Sequence, residues 1–334
     1  MFQELAQLES LLERLDGHAR IETLTRIRWQ GHDFPVYAIV LGTLQPQAPT
    51  LGFFGGVHGL EKIGSEVILS YLQTLIEMLE WDRELQRRLA ESRLVFVPIV
   101  NPVGVYRGTR ANGNGVDLMR NAPIEGQGNT KLYSGHRLTP WLPWYRGDAS
   151  RMETEAEALC EVVRRYLFEA ELSIVLDLHS GFGIRDRLWF PYASCREPFP
   201  DIAEAYALKN LFDHCFPHHV YRIEPMSEEY VINGDLWDYL YDSFKSSPQA
   251  GRLFLPLTLE MGSWLWLRKS PLHLFQRHGL FHPLLPHRQQ RILRRHFTLF
   301  EFLHRCLLSP TKWAEQTHDQ RVDNRRAAWE TWYA

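Results

Sequence analysis

The sequence has few cysteines, and their spacing fits neither a disulfide framework nor a thiolate metal site. Only four occur in 334 residues, namely Cys160, Cys195, Cys215 and Cys306, and no two of them form a CxxC pair. Closely spaced cysteines are typical of zinc ribbons, and dense sets of them are typical of small secreted domains. We therefore expect free thiols in a reducing compartment.

Long apolar runs, a secretory signal and an excess of basic residues are also missing. No segment approaches the roughly 18 consecutive apolar residues that span a bilayer. The first 15 residues contain Glu4, Glu9 and Glu13 and have no basic stretch before an apolar core, unlike a signal peptide. The formal net charge is -3, whereas nucleic-acid-binding proteins usually present a basic surface. We expect a cytoplasmic protein with no membrane or nucleic-acid partner, and the oligomeric state stays open.

Hydrophobic residues make up 45% of the chain, which is enough to bury a sizeable sheet. Apolar segments predict strands over 23–29, 35–41, 50–57, 94–100, 172–178, 219–223 and 253–259. Helical periodicity predicts helices over 1–15, 61–79, 153–168, 201–215, 236–244 and 288–308. This alternation is typical of an α/β fold with a largely parallel sheet. We predict one catalytic domain over residues 1–310, with its motifs at about 50–265, followed by a polar tail over 311–334.

Three predicted strands end at residues that can carry chemistry: His58, His179 and Glu260. Ligands of parallel sheets bind at the carboxyl ends of strands, so these side chains are expected to lie together. Glu61 follows His58 by three residues across a glycine-flanked bend. Two histidines and one carboxylate suit a catalytic zinc ion, because they leave a coordination position open. Each residue alone also fits a plainer interpretation, as a helix-capping glutamate or a hydrogen-bonded strand-end histidine.

Glu260 closes an apolar strand, where an unpaired carboxylate is costly to bury. Beside a metal ion it could act as a general base for a water molecule. The loop after the strand at 94–100 contains Asn-Pro-Val-Gly at 101–104 and Gly-Val-Asp-Leu-Met-Arg-Asn at 115–121. It also carries Arg110 and Arg120, whose planar guanidinium groups suit carboxylates and developing oxyanions.

These motifs, in this order, resemble the zinc carboxypeptidase family, the carboxypeptidase A-like or funnelin group. The resemblance implies a three-layer α/β/α sandwich around a mixed eight-stranded sheet. It also implies one Zn²⁺ per chain, held by His58, Glu61 and His179, with Asp117 orienting His58.

The same resemblance assigns the remaining functional residues. Glu260 becomes the catalytic carboxylate, and Arg110 the residue that polarises the scissile carbonyl, with Arg107 as an alternative. Arg120 becomes the docking residue for a free carboxylate of the substrate. Tyr230 is our choice for the family's mobile tyrosine, because it precedes a glycine upstream of Glu260. Tyr239 and Tyr241 are competing candidates for that role.

Two features depart from the family pattern. Met119 stands where the family has an asparagine beside the carboxylate-binding arginine, which removes a polar contact to the substrate. The contexts around His58 and Glu260 also resemble the aspartoacylase and succinylglutamate desuccinylase branch. We predict a zinc-dependent metallocarboxypeptidase-like hydrolase that cleaves an amide bond near a free carboxylate in peptides or peptide-like substrates. A zinc amidohydrolase acting on N-acyl amino acids is the first alternative, and a non-catalytic peptide-binding protein is the second.

Overall fold

The computed structural model describes residues 2–128, 131–262, 281–283 and 285–334. Within these ranges, eight strands form one mixed sheet in the order β1-β2-β4-β3-β5-β8-β6-β7. The strands are β1 Ala19–Trp29, β2 His32–Gly42, β3 Thr50–Gly55, β4 Arg93–Val97, β5 Leu172–Ser180, β6 Arg187–Phe190, β7 Arg222–Pro225 and β8 Leu253–Met261. The predicted motif region extends to residue 265, and its last three residues lie outside the described residues.

The strands at the centre of the sheet run parallel. β3 pairs in parallel with both β4 and β5, and β5 pairs in parallel with β8. Antiparallel pairs join β1 to β2, β2 to β4, and β6 to β8. The carboxyl ends of β3, β5 and β8 therefore lie side by side at one edge of the sheet, as the positions of His58, His179 and Glu260 predict.

Helices cover both faces of this sheet. They are α1 Gln3–Arg14, α2 Lys62–Leu79, α3 Arg83–Glu91, α4 Pro102–Arg107, α5 Thr154–Val162, α6 Ile202–Cys215, α7 Leu236–Lys245, α8 Pro286–Arg295, α9 Phe297–Leu307 and α10 His318–Trp332. Successive strand residues point to opposite faces. Accordingly, Phe53 of β3 contacts Tyr71 of α2 and Phe300 of α9, whereas Phe54 contacts Trp237 of α7. This confirms the three-layer arrangement. No helix among the described residues is both long and apolar enough to cross a membrane.

The predicted helix over 288–308 is two helices, and this part of the prediction is wrong. The chain turns at His296, between α8 and α9, and the His296 ring is buried. Its Nδ1 receives a hydrogen bond of 2.8 Å from the Tyr221 hydroxyl. Burial and the charge of Arg295 lower the pKa of His296 to about 3, so the ring stays neutral at ordinary pH.

The segment predicted as a polar tail contains an ordered helix, α10. It begins with a capping box in which Thr317 and Gln320 exchange side-chain and backbone hydrogen bonds. Trp332 is buried against Phe190 and Tyr206, and its Nε1 donates to the carbonyl of Ile223. The polar composition of the segment hides this packing, because α10 buries only two of its residues, Ala328 and Trp332.

A buried histidine joins α3 to α9 and predicts a pH dependence of stability. His304 is fully buried; its Nδ1 accepts from Arg88 and its Nε2 donates to Ser92. Arginine can only donate, so His304 must be neutral with its proton on Nε2. Burial, together with Arg88 and Arg305, lowers the pKa of His304 to about 3.

The unfolded chain binds a proton on this ring below a pKa of about 6.5, while the folded protein does not. Stability contributed by His304 is therefore present above pH 6.5 and is lost as the pH falls toward 3. The unfolding free energy should fall between pH 7.5 and 5.5, and we expect His304→Gln to make this fall smaller by about 1 kcal/mol. Urea titrations at several pH values measure this. The control is His18→Gln, at an exposed position, which should keep the pH dependence of the parent protein's unfolding free energy. The prediction is contradicted if His304→Gln keeps the same pH dependence as the parent protein.

Candidate metal centre and substrate pocket

The segment that follows β3 brings His58 and Glu61 together. Gly56 takes a positive φ of 63°, which turns the chain sharply after the strand. A side chain at Gly59 would lie 1.8 Å from the backbone of Gly104, so only glycine lets the two segments touch. The Glu61 amide then donates to the His58 carbonyl, and α2 begins at the next residue. Both side chains are consequently fixed on the same side of this bend.

The third member of the cluster comes from β5, whose nine residues are all buried. His179 Nδ1 lies 3.2 Å from His58 Nδ1 and 3.0 Å from Glu61 Oε2, and His58 Nδ1 lies 2.9 Å from Glu61 Oε1. Candidate ligand atoms of the three residues all lie within 4.8 Å of one another. The sequence-predicted metal ligands are thus brought together in one buried cluster.

The outer nitrogen of each histidine is held by a carboxylate. His58 Nε2 lies 3.1 Å from Asp117 Oδ1, and His179 Nε2 lies 2.8 Å from Asp177 Oδ2. An ionised carboxylate only accepts hydrogen bonds, so both Nε2 atoms carry protons. The Nδ1 lone pairs therefore face each other across the cluster. Two opposed lone pairs beside a carboxylate need a cation between them, and imidazole and carboxylate ligands of this kind suit zinc.

The carboxylates around this cluster also favour a proton on His179. Burial opposes a charge on His179, but Asp177 and Glu61 outweigh it and hold the pKa of His179 well above its ordinary value. Burial likewise opposes a charge on Glu61, yet His58 and His179 lower the pKa of its carboxyl. Because protons and metal ions compete for the same lone pairs, metal binding at this cluster weakens as the pH falls.

Asp117 connects the cluster to two arginines. Its Oδ2 accepts hydrogen bonds from Arg110 Nε at 2.8 Å and from Arg120 Nη1 at 3.0 Å, while Oδ1 binds His58. Burial raises the pKa of Asp117, but Arg110 and Arg120 together hold it well below its ordinary value. Asp117 is therefore a permanent anion that fixes one histidine and both guanidinium groups.

Glu260 lies across from His179 in the parallel pairing of β5 and β8. Its Oε1 accepts a hydrogen bond of 2.9 Å from the Phe182 amide. Burial raises the pKa of Glu260 to about 8, and the negative charge of Glu61 adds to this effect. A bound dication would favour the ionised carboxylate and lower that pKa again.

One cavity of about 470 Å³ opens onto the metal cluster, both arginines and Glu260. The predicted site residues that line it are His58, Glu61, Arg110, Met119, Arg120, His179, Tyr230 and Glu260. Asp117 lies behind this wall and is 1% exposed. Burial raises the pKa of Tyr230, and the charges of Arg120, Glu260 and Arg110 all act on its phenol. The predicted residues thus surround a single space.

The competing residues lie elsewhere. Tyr239 receives a hydrogen bond from Arg164 at an exposed position, and Tyr241 is buried with its hydroxyl donating to Asp201. The Arg107 guanidinium lies over the Trp29 ring, 5.1 Å from its centroid. Of the two arginines considered for polarising the carbonyl, only Arg110 lines the cavity, and of the three tyrosines only Tyr230 does.

Sequence reasoning missed Asp177 and Trp237. Trp237 Nε1 donates a hydrogen bond of 2.8 Å to the same Asp177 oxygen that holds His179. The sequence does contain a signal for Asp177. It precedes His179 by two residues in β5, and residues two apart in a strand share a face, so a contact between them could have been predicted. No comparable local signal exists for Trp237, which lies 60 residues away on α7.

Comparison with known proteins agrees with this geometry. A family model described as zinc carboxypeptidase matches residues 27–262, which is more than half of the chain. The catalytic chain of carboxypeptidase N from Rattus norvegicus is 24% identical over 219 residues, covering 59% of this chain and 47% of that protein. Carboxypeptidase SOL1 from Arabidopsis thaliana is 23% identical over 261 residues, covering 76% of this chain and 48% of that protein. The chain thus spans about half the length of these curated relatives.

A solved structure shares the fold. Bovine thrombin-activatable fibrinolysis inhibitor, in complex with tick carboxypeptidase inhibitor, superposes with a TM-score of 0.66 at 16% identity, covering 92% of this chain and 96% of that one. This likeness concerns the fold, while the matching family model covers the metal cluster, the arginine loop and Glu260. On these grounds the chain belongs to the zinc carboxypeptidase family.

Proposed function

We propose that the protein is a zinc-dependent metallocarboxypeptidase-like hydrolase that cleaves an amide bond near a free carboxylate in peptides or peptide-like substrates. The observation that carries this proposal is the shared cavity, where the histidine–glutamate cluster, Glu260 and two arginines meet. A metal centre alone would fit many hydrolases. A buried guanidinium beside it is what favours a substrate with a free carboxylate.

The residues have separate roles in this proposal. His58, Glu61 and His179 would hold zinc, which when bound would supply a Lewis acid for the carbonyl and acidify a water molecule. Glu260 accepts a proton from that water and returns it to the leaving amine. Arg110 stabilises the negative charge that develops on the carbonyl oxygen, the kind of electrostatic contribution that is usually large. Asp117 keeps His58 and Arg110 in position through the hydrogen bonds described above.

Arg120 is proposed to dock the free carboxylate. Its Nε donates to the Tyr133 carbonyl and its Nη1 to Asp117, so the guanidinium plane is fixed before a substrate arrives. Among the described residues, Nη2 makes no hydrogen bond and is available to a ligand. Met119 supplies an apolar surface next to it, where the family has a polar one. Tyr230 lines the same cavity and is proposed to contact the bound substrate. The cytoplasmic location stays a prediction.

The carboxylate role predicts discrimination between a peptide and its amide. We expect the purified, zinc-loaded protein to cleave a good peptide substrate far faster than the same peptide with an amidated C-terminus. Removing one partner of a buried charge pair costs roughly 2–5 kcal/mol, or about 30- to several-thousand-fold in kcat/KM. Arg120→Ala should abolish the discrimination. Arg120→Lys should restore it only in part, because an ammonium group cannot bind Tyr133, Asp117 and a ligand in the fixed planar geometry of the guanidinium.

Mass spectrometry of a mixed library of peptides, amidated peptides and N-acyl amino acids measures all three substrate classes together. Arg107→Ala is the matched control, since this arginine contacts Trp29 outside the cavity. Zinc content must be measured for each variant because Arg120 supports Asp117. Met119→Asn should improve cleavage of simple peptides. Equal rates for free and amidated peptides on the unmodified protein would contradict the docking role, and cleavage of N-acyl amino acids alone would favour the deacylase alternative.

A further inference from the structure

A second cavity adjoins the substrate pocket. It has a volume of about 570 Å³ and shares Tyr133, Glu229 and Tyr230 with the first. The rings of Tyr133 and Tyr230, with centroids 6.3 Å apart, form the partition between the two spaces. Because Arg120 Nε binds the Tyr133 carbonyl, this cavity begins next to the residue proposed to dock the substrate carboxylate.

Hydrogen bonds of Ile232 and of the buried Asn233 join the segments around the second cavity. Asn233 Oδ1 accepts from the Gly126 amide, and its Nδ2 donates to the Gly135 carbonyl. The Asn233 amide donates to Ser134, and the neighbouring Ile232 amide donates to Ala193. Four separate segments are thereby joined around the cavity, so its shape is defined by the fold.

The charges that line this space are unbalanced. Lys131 and Arg196 both line it, and among the described residues neither has a carboxylate within ion-pair distance. The only carboxylate in the lining of this cavity, as far as the described residues show, is Glu229, and it is already paired with Arg187. Lys131 Nζ lies 5.7 Å from the centroid of the Tyr133 ring, beside the partition. The cavity therefore presents two uncompensated cations to a ligand that reaches past Tyr133 and Tyr230.

We propose that this second cavity is a subsite for an anionic group of the substrate, and that the preferred substrates are peptides with an acidic side chain within the last few residues. The inference rests on the proposed function, because it takes Arg120 as the docking point of the terminal carboxylate. A peptide whose terminus is held there can extend a neighbouring Asp or Glu side chain into the cavity that Lys131 and Arg196 line. Exposed cations attract a carboxylate modestly and in a salt-dependent way.

Binding is the readout that tests this subsite, so that it does not depend on turnover. Peptides with Glu or Gln at each of the last four positions are titrated against zinc-loaded Glu260→Gln protein by fluorescence polarisation. We expect one position at which Glu binds about 5- to 30-fold more tightly than Gln in 50 mM salt, and a smaller ratio in 500 mM salt. Lys131→Gln/Arg196→Gln should reduce that ratio to about 1.

The matched control is Arg83→Gln/Arg151→Gln, which removes the same two charges from exposed positions outside both cavities. This variant should keep the Glu preference. The proposal is overturned if no position prefers Glu, or if the preference survives in Lys131→Gln/Arg196→Gln. The two proposals can fail separately. If Glu-containing peptides bind selectively to the Glu260→Gln protein but the unmodified enzyme cleaves no peptide, the proposed hydrolase activity is contradicted and the anion subsite is supported.

Discussion

Replacing Glu260 with glutamine is expected to lower kcat by at least about 10²-fold, the lower end of what a general base contributes. Glutamine has nearly the same shape and can still accept the hydrogen bond from the Phe182 amide. It cannot take a proton from water, because the amide oxygen is not basic. The loss should therefore fall on kcat while the zinc content stays unchanged.

Steady-state kinetics and elemental analysis on the same preparations measure this result. The pH profile adds a second observation. Burial and Glu61 raise the pKa of Glu260 to about 8 without metal, so its basic form is gained as the pH rises. With zinc bound, the acidic limb of kcat/KM should lie below pH 8 and should report Glu260 and the acidified water as a coupled pair. Loss of zinc with unchanged turnover per bound metal would make Glu260 a structural residue.

Replacing His58 or His179 with alanine is expected to abolish tight zinc binding, from one zinc per chain to less than about 0.1 at the same free concentration. Each substitution removes one of three protein ligands and leaves the others unable to hold the metal at that affinity. The fold should survive, since the sheet and its helices form a large core independent of the cluster. Elemental analysis and chelator competition measure the binding, and circular dichroism checks the fold.

Asp177→Asn should weaken zinc binding less than the loss of a ligand does, and it serves as the control for the metal prediction. Asp177 Oδ2 accepts both the His179 and Trp237 hydrogen bonds, so an asparagine oxygen can accept the same two. Only the negative charge behind His179 is removed, and zinc affinity should weaken by about 10-fold. Full zinc occupancy in His58→Ala and His179→Ala would show that the metal is bound elsewhere.

Sequence reasoning worked best where chemistry is encoded locally. His58 and Glu61 are three residues apart, and His179 and Glu260 both end apolar strands, so their convergence follows from parallel strand order. Their roles are still predictions, although the structure brings them together. For Tyr230 the local signal is only the glycine that follows it, because the choice over Tyr239 and Tyr241 depends on which tyrosine faces the cavity.

The turn at His296, which the sequence did not predict, and the order of the C-terminal segment, which it left open, both depend on packing against distant residues. The turn at His296 depends on a hydroxyl 75 residues away, at Tyr221. The helix at 318–332 packs through Trp332 against β6 and α6, while most of its surface is polar. Periodicity cannot detect such contacts, because it reports only which residues of one segment share a face.

The position of Asp117 between His58 and two arginines has a consequence for mutagenesis. One carboxylate binds the metal ligand His58, the proposed oxyanion residue Arg110 and the proposed docking residue Arg120. The contributions of these three residues to binding and catalysis are therefore not independent. Free-energy changes from single substitutions at His58, Arg110 and Arg120 should fail to add when the substitutions are combined. Metal affinity and substrate affinity are then thermodynamically linked, and each ligand must change the affinity for the other by the same factor.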